Sequence, residues 1–216
     1  MNDVAPDMLT YETGLIEAGY RTIVGIDEVG RGALAGPIVA AAVVLPNDVR
    51  SLTGPWLEVC DSKTLTPRKR AELAQHIEEH AQHVAVAMLD AAIIDRIGIG
   101  PANRRVMELS LERIEEACDP DFLLLDALTI EDERPQIGVI DGDACCLSIA
   151  AASIVAKVHR DNLMSALAGN WPHYQWERNK GYGVASHLDA LRRVGPCLHH
   201  RQSFRPVREC GPVTRA

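Results

Sequence analysis

Four acids stand where apolar runs end. Asp27 and Glu28 close RTIVGID (21–27), Asp126 closes DFLLLDA (121–127), and Asp143 sits in a D-G-D just past IGVID (137–141). Runs this rich in Val, Ile and Leu read as buried strands, and in α/β sheets ligands collect at strand ends. If these ends are neighbours, four carboxylates converge. Two unit charges about 4 Å apart repel by on the order of 4 kcal/mol at an effective dielectric of 20, so such a cluster calls for a cation. An all-oxygen donor set selects Mg²⁺ or Mn²⁺ over zinc. A helix opening behind Asp143 would favour its anion. Taken singly, each acid reads better as a cap or turn residue; their joint placement argues for chemistry. Asp141 and Asp161 are rivals. Asp161 lies 18 residues beyond Asp143, about 27 Å along a continuous helix. It is therefore expected to be a surface cap or ion-pair partner.

Other chemistries fit poorly. GIDEVGRGALAG contains glycines at 30, 32 and 36, but a β-branched run follows it rather than a helix, and acids occupy its turn; a phosphate cradle needs the opposite. There is no G-x-S-x-G elbow. Cys197, His199, His200 and Cys210 match the spacing of no closed zinc knuckle. The six cysteines, with no C-x-x-C and a vicinal pair at 145–146, fit reduced thiols.

The elements that must position the acids follow from periodicity. Strands are expected at 21–27, 38–45, 83–89, 121–127 and 137–141. Helices are expected at about 66–81, with Thr66 as N-cap and Pro67 at its first position, at 90–97, at 101–117, at 144–168 and at 185–194. The short link between the first two strands suits an antiparallel pair, and the strand–helix alternation after it suits an α/β mixed sheet of about five strands. WPHYQWERNKGYG reads as irregular.

Apolar residues make up 47% of the 216, enough for a sizeable core, and with only 4% aromatic that core must be Ala, Val, Ile and Leu. No apolar run reaches the roughly 18 residues of a membrane span, and the acidic N-terminus is unlike a signal peptide, so a cytoplasmic protein without membrane contact is expected. The net charge of -8 hides an asymmetry: residues 157–216 carry ten Lys/Arg against four Asp/Glu. A basic final quarter on an acidic body can bind phosphates on one face.

Several stretches resemble the ribonuclease HII family of type 2 ribonucleases H. They are GIDEVGRGALAGP, DSKTLTPRKR (61–70), LLLDA (123–127), GD with SIAAASIVAKVHRD (142–161), NKGYGVASHLDAL (179–191) and HHRQSFRPV (199–207), and they run in order over about 20–207. The resemblance implies a ribonuclease H-like fold with a five-stranded mixed sheet flanked by helices and a small C-terminal helical appendage. The expected layout is an N-terminal extension (1–19), a catalytic core (20–168) and a C-terminal substrate-binding segment (169–216). It implies an endonuclease that cuts RNA in RNA–DNA hybrids and incises 5′ of single ribonucleotides in duplex DNA, leaving 5′-phosphate and 3′-hydroxyl. The catalytic, metal-binding acids fall on Asp27, Glu28, Asp126 and Asp143, with Asp27 assigned between two Mg²⁺ or Mn²⁺ ions. The glycine–arginine–glycine that reads the ribose 2′-hydroxyl falls on Gly30, Arg31 and Gly32. The tyrosine that packs on the deoxyribose past the junction falls on Tyr182.

Basic residues supply candidate phosphate contacts: Lys63, Lys180, His187, Arg201 and Arg205. Arg68, Lys69 and Arg70 stand in a helix's first turn, where the dipole disfavours cations, and a solvated face is the favoured reading there. Asp141 stands where the family often has lysine, and the acidic stretch 131–134 has no assigned role. Expected partners are RNA–DNA hybrid and ribonucleotide-containing duplex DNA, acted on by a monomer, with a sliding-clamp contact left open. The alternatives are a ribonuclease HIII-like enzyme, disfavoured because only about 20 residues precede the first strand, and a non-catalytic hybrid-binding protein, disfavoured by four intact acids.

Overall fold

The computed structural model describes residues 7–213. Its five strands are β1 (Ile23–Val29), β2 (Ile38–Val44), β3 (His83–Leu89), β4 (Phe122–Asp126) and β5 (Gln136–Val139), in the spatial order β3-β2-β1-β4-β5. β1–β2 and β2–β3 are antiparallel; β1–β4 and β4–β5 are parallel. The helices are α1 (Thr10–Glu17), α2 (Pro67–His80), α3 (Ala91–Ile97), α4 (Ile99–Glu115), α5 (Gly142–Cys145), α6 (Leu147–Asn170), α7 (Trp176–Asn179), α8 (Ala185–Val194) and α9 (Arg205–Arg208), with short 3₁₀ turns at Val49–Ser51, Gly54–Glu58 and Pro172–Tyr174.

The sheet separates two apolar layers, as the alternation of side chains along a strand requires. Val24, Ile26, Ala40 and Leu123 face α4, meeting Ala102, Val106 and Met107. Val39, Ala41 and Val43 face α2 and α6, meeting Leu73, Ile77, Ala151 and Val155. Full burial of a side chain such as Ile26 contributes about 1.5–3 kcal/mol. The small residues of α6 let it lie directly on β1. A Cβ at Gly25 would stand 2.2 Å from the Ser148 carbonyl carbon, so only glycine allows that contact.

Local signals place α2 and α3 as expected. Thr66 accepts from Lys69 N with Pro67 following, and Asp90 accepts from Ile93 N at 2.8 Å. Three features depart from expectation. The helix expected at 144–168 is broken: Cys146 is extended (φ -136, ψ 119), separating one-turn α5 from the long α6. Asp143 therefore lies in α5, and the long helix does not open behind it. The donors at the start of α6 are instead satisfied from the N-terminal segment. Ser148 N donates to the buried Glu12 carboxylate at 2.8 Å, and Leu147 N donates to Met8 O at 2.7 Å. That segment also forms α1, which periodicity did not reveal.

The stretch read as irregular folds into the 3₁₀ turn at Pro172–Tyr174 and α7. Its aromatics Tyr174 and Trp176 are buried with Leu34, Met164, Leu191 and Val207 in a third apolar cluster, which joins the C-terminal segment to α6 and to the turn after β1. No described helix is long and apolar enough to cross a membrane.

Candidate active site

Parallel pairing sets the ends of β4 and β5 beside the middle of β1. Ile26 lies opposite Leu125, and Asp126 opposite Val139. Asp126 therefore ends β4 beside Asp27, which lies inside β1 rather than at the strand end expected of it, and the turn after β5 delivers Asp143 beside them. Asp27, Glu28, Asp126 and Asp143 line one cleft of about 460 Å³, whose wall also includes Gly30, Arg31, Gly32, Ser62, Lys63, Ser153, Lys157 and Tyr182. The adjacent pair Asp27-Glu28 divides between the two faces of the sheet. Asp27 is buried beside Ser153 of α6, and Glu28 stands beside Asn103 of α4. Asn103 is itself buried, and its amide nitrogen and oxygen meet no partner at hydrogen-bond geometry, but it lies near enough to favour the Glu28 anion.

Electrostatics mark these acids as crowded. Burial, then Glu28 and Asp126, pushes the Asp27 carboxyl well above its ordinary value. Burial and Asp126 raise Glu28. Burial raises Asp126, with Asp143 and Asp141 adding to it against the Gly142 N–H, which donates to Asp126 Oδ1 at 2.9 Å, and against Lys63. No three His, Cys, Asp or Glu side chains among the described residues stand ready-assembled around a metal position. The donor chemistry nonetheless fits a divalent ion: the set is all oxygen, the carboxylates repel one another, and the chain places a cation of its own among them. The Lys63 ammonium lies 2.9 Å from Asp143 Oδ2, a contact that raises the Lys63 pKa.

Lys63 reaches the cleft on a turn built by its neighbours. Lys63 N donates to Asp61 Oδ1, the Ser62 and Ser153 hydroxyls meet at 2.9 Å, and buried Arg70 donates to the Ser62 and Leu65 carbonyls. Arg70 is thus a clamp on this turn, not part of a solvated face. Exposed Arg68 and half-buried Lys69 pair with Glu72 and Glu58.

The remaining basic candidates are not brought to the cleft. Lys180 Nζ donates to Ser165 Oγ at 2.6 Å. Arg205 is exposed and paired with Glu209. His187 and Arg201 are fully buried, which corrects their reading as phosphate contacts. Arg201 donates to the Gly36 and Arg31 carbonyls; burial pushes its pKa down to about 9, so it keeps its charge at neutral pH. Buried Arg160 does the same for Pro37, Ala35 and Lys180. Interior guanidiniums, not surface ones, shape this end of the molecule.

Asp161 pairs with Lys157 at 2.8 Å and Arg70 at 3.8 Å, an ion-pair partner as expected, though half-buried. Asp141 is exposed in a left-handed conformation (φ 52). In the 131–134 stretch, Arg134 bonds Asp132 and Glu115. His200 Nδ1 accepts from Cys197 N and meets Cys197 Sγ at 3.3 Å, whereas Cys210 Sγ donates to Pro206 O, and the four imagined zinc ligands do not assemble around a metal position. Ser62, Ser153 and Lys157 had no assigned role in the sequence. Ser153 and Lys157, four residues apart on one helix face soon after Asp143, carried the signal that could have found them.

The family model described as Ribonuclease HII matches residues 24–207. The ribonuclease HII of Roseiflexus castenholzii is 46% identical over 210 residues, spanning 97% of this chain and 93% of that protein. That of Bacillus subtilis is 42% identical over 201 residues, spanning 93% and 76%. Among solved structures, Archaeoglobus fulgidus RNase HII in its complex with PCNA aligns with a TM-score of 0.71 at 22% identity, over 89% of this chain and 98% of that one. Bst RNase HIII in complex with Mn²⁺ aligns with a TM-score of 0.67 at 20% identity, over 97% and 75%. These two similarities show the ribonuclease H-like fold. The family match opens inside β1, closes at Val207 and encloses every residue of the cleft, and with relatives this similar along nearly the whole length the chain belongs to the ribonuclease HII family.

Proposed function

We propose that this chain hydrolyses the RNA strand of RNA–DNA hybrids and incises 5′ of single ribonucleotides in duplex DNA, leaving 5′-phosphate and 3′-hydroxyl, and that it serves ribonucleotide removal in DNA replication and repair. Type 2 ribonuclease H activity follows from family membership. The observation that carries the finer reading is the make-up of one cleft wall: four mutually repelling acids, a backbone stretch bare of side chains at 30 and 32, and a tyrosine. RNA and DNA differ at one hydroxyl. Nothing lies within 4 Å of a Cβ built on exposed Gly32, so its peptide groups are open to close approach. Exposed Arg31 offers a forked donor to a phosphate beside it. The Tyr182 ring is flanked by Lys157 Nζ at 5.8 Å and Arg160 Cζ at 5.3 Å from its centroid, and its face can pack on a sugar lacking the hydroxyl.

Asp27, Glu28, Asp126 and Asp143 are the residues that would hold divalent ions, a reading supported by the family and by the Mn²⁺ seen with Bst RNase HIII. Two such ions would supply activation of the attacking water and charge stabilisation at the departing 3′-oxygen. The chain's own part is to fix the acids: Gly142 N–H orients Asp126, Ser153 supports Asp27, and Lys63 holds Asp143. A sliding-clamp contact rests solely on the PCNA complex of the archaeal neighbour.

The test is incision of a duplex holding one ribonucleotide, in Mg²⁺ and in Mn²⁺, with all-DNA duplex and chelator as controls. Nicking at the 5′ side of the ribonucleotide is expected; binding without nicking would make this a binding protein. Tyr182→Ala is expected to lower kcat/KM on the single-ribonucleotide duplex about tenfold to a hundredfold, the range of lost aromatic stacking, and to affect long hybrids much less. Equal losses on both substrates would remove Tyr182 from the junction.

A further inference from the structure

Tyr182 is carried on Gly181-Tyr182-Gly183, a segment with little stiffness of its own. Its carbonyl nevertheless receives two donors, Val184 N and the imidazole Nδ1 of His187, each at 2.9 Å. His187 is fully buried, as are Trp176 and His200 beside it. A buried polar side chain costs free energy unless its hydrogen bonds are made, and here every ring nitrogen of both histidines is engaged.

The direction of those bonds can be read from their fixed ends. Cys197 N–H donates to His200 Nδ1 at 3.0 Å, which leaves the His200 proton on Nε2. That Nε2–H faces His187 Nε2 at 3.0 Å, and Trp176 Nε1–H also points at His187 Nε2, at 3.2 Å. His187 Nε2 is therefore an acceptor, its proton is on Nδ1, and Nδ1–H donates to Tyr182 O. Burial keeps both rings neutral, holding His200 down to about 3 and His187 below its ordinary value.

We propose that His187 is a positioning residue for Tyr182: a one-way chain of hydrogen bonds from Cys197 through His200 and His187 fixes the carbonyl of the tyrosine that faces the substrate. The chain ties the substrate-reading turn to the buried aromatic cluster of the C-terminal segment. A histidine needed only for packing would not require a donor at Nδ1. This inference rests on the reading of Tyr182 as the junction tyrosine.

The asparagine and glutamine variants separate the two roles, because the amide nitrogen of Asn sits near the place of imidazole Nδ1 and that of Gln near Nε2. Full-length wild type, His187→Asn, His187→Gln, Tyr182→Ala and the His187→Gln/Tyr182→Ala double variant are compared by the ratio of kcat/KM on the single-ribonucleotide duplex to that on a long hybrid, with melting temperatures alongside. His187→Asn is expected to stay within about threefold of the wild-type ratio. His187→Gln is expected to lower it about tenfold, and the double variant no further than Tyr182→Ala alone, since the two act through one contact. Equal ratios for Asn and Gln, a full additive loss in the double variant, or failure of both single variants to fold would show a packing role and overturn the inference. If Tyr182→Ala leaves the ratio unchanged, the junction reading fails first and this inference with it. If Tyr182→Ala lowers the ratio and His187→Gln does not, this inference alone fails.

Discussion

Asp126→Asn is expected to lower incision by on the order of 10³-fold or more, while duplex affinity changes by no more than a few-fold. The amide is isosteric, and its oxygen can still accept from Gly142 N, so the turn that carries Asp143 keeps its hold on β4. What is lost is one negative charge from the cluster proposed to hold divalent ions. The same charge is a liability without a divalent ion. Asp27, Glu28 and Asp126 each bind a proton more tightly in the folded chain than in the unfolded one, chiefly because burial penalises their anions. Their contribution to stability is therefore fully present below the unfolded carboxylate range, about pH 4, and is lost as pH rises through the elevated folded values. In chelator, wild type should melt at lower temperature at pH 8 than at pH 5. The Asp126→Asn protein should melt above wild type at pH 8, with the gap closing toward pH 5. Melting curves across that range, set beside incision rates, check both halves. Retained activity, or a variant less stable than wild type at pH 8, would take Asp126 out of the centre.

The parts of this site that were legible in the sequence are those set by local signals. β3 occupies His83–Leu89 and α8 Ala185–Val194, as periodicity and boundaries suggested, because a β-branched run and an amphipathic repeat carry their own period. Acids at the ends of apolar runs met in one cleft because parallel pairing sets the ends of β4 and β5 beside Asp27 and Glu28 of β1, though β1 itself runs on to Val29 along β2. What was not legible depends on partners far away in the chain. No glycine or proline marks the break at Cys146; the restart of α6 is capped by Glu12, a carboxylate from α1. α1 itself has a glycine in its middle, and its buried Glu12 reads as a surface residue until its donors are known. The buried cations follow the same rule. By type and position, Arg70, Arg201 and His187 resemble surface groups. Arg70 and Arg201 are interior because the carbonyls of the 31–36 and 62–65 turns need donors, and a guanidinium can satisfy several at once. His187 is interior for the same reason on a smaller scale, with the Tyr182 carbonyl as its acceptor.

That division also separates two glycines that the sequence treats alike. Gly30→Ala is expected to destabilise the fold and cut incision together, whereas Gly32→Ala is expected to cut incision alone. Gly30 has φ +92, a conformation that costs a residue with a Cβ roughly 1–3 kcal/mol. Its added methyl would stand 2.2 Å from Arg160 Nε. That side chain cannot swing aside, because its guanidinium is spent on the carbonyls of Pro37, Lys180 and Ala35 at 2.9, 2.9 and 3.1 Å. Strain and overpacking together should cost about 3 kcal/mol, a fall of roughly 6–12 °C in melting temperature for a chain of this size. Displacing Arg160 also releases Lys180, the neighbour of the Tyr182 turn, so incision should drop on both substrates. At Gly32 a methyl meets no protein atom within 4 Å. Its melting temperature should match wild type, yet on the proposed reading the methyl stands where the ribose approaches the backbone, and kcat/KM should fall about tenfold or more. Melting curves and incision rates for the two variants decide the matter. A stable, fully active Gly32→Ala protein would mean that the 2′-hydroxyl is read somewhere else, and a Gly30→Ala protein as stable as wild type would mean that Arg160 is not held in place by its three carbonyls.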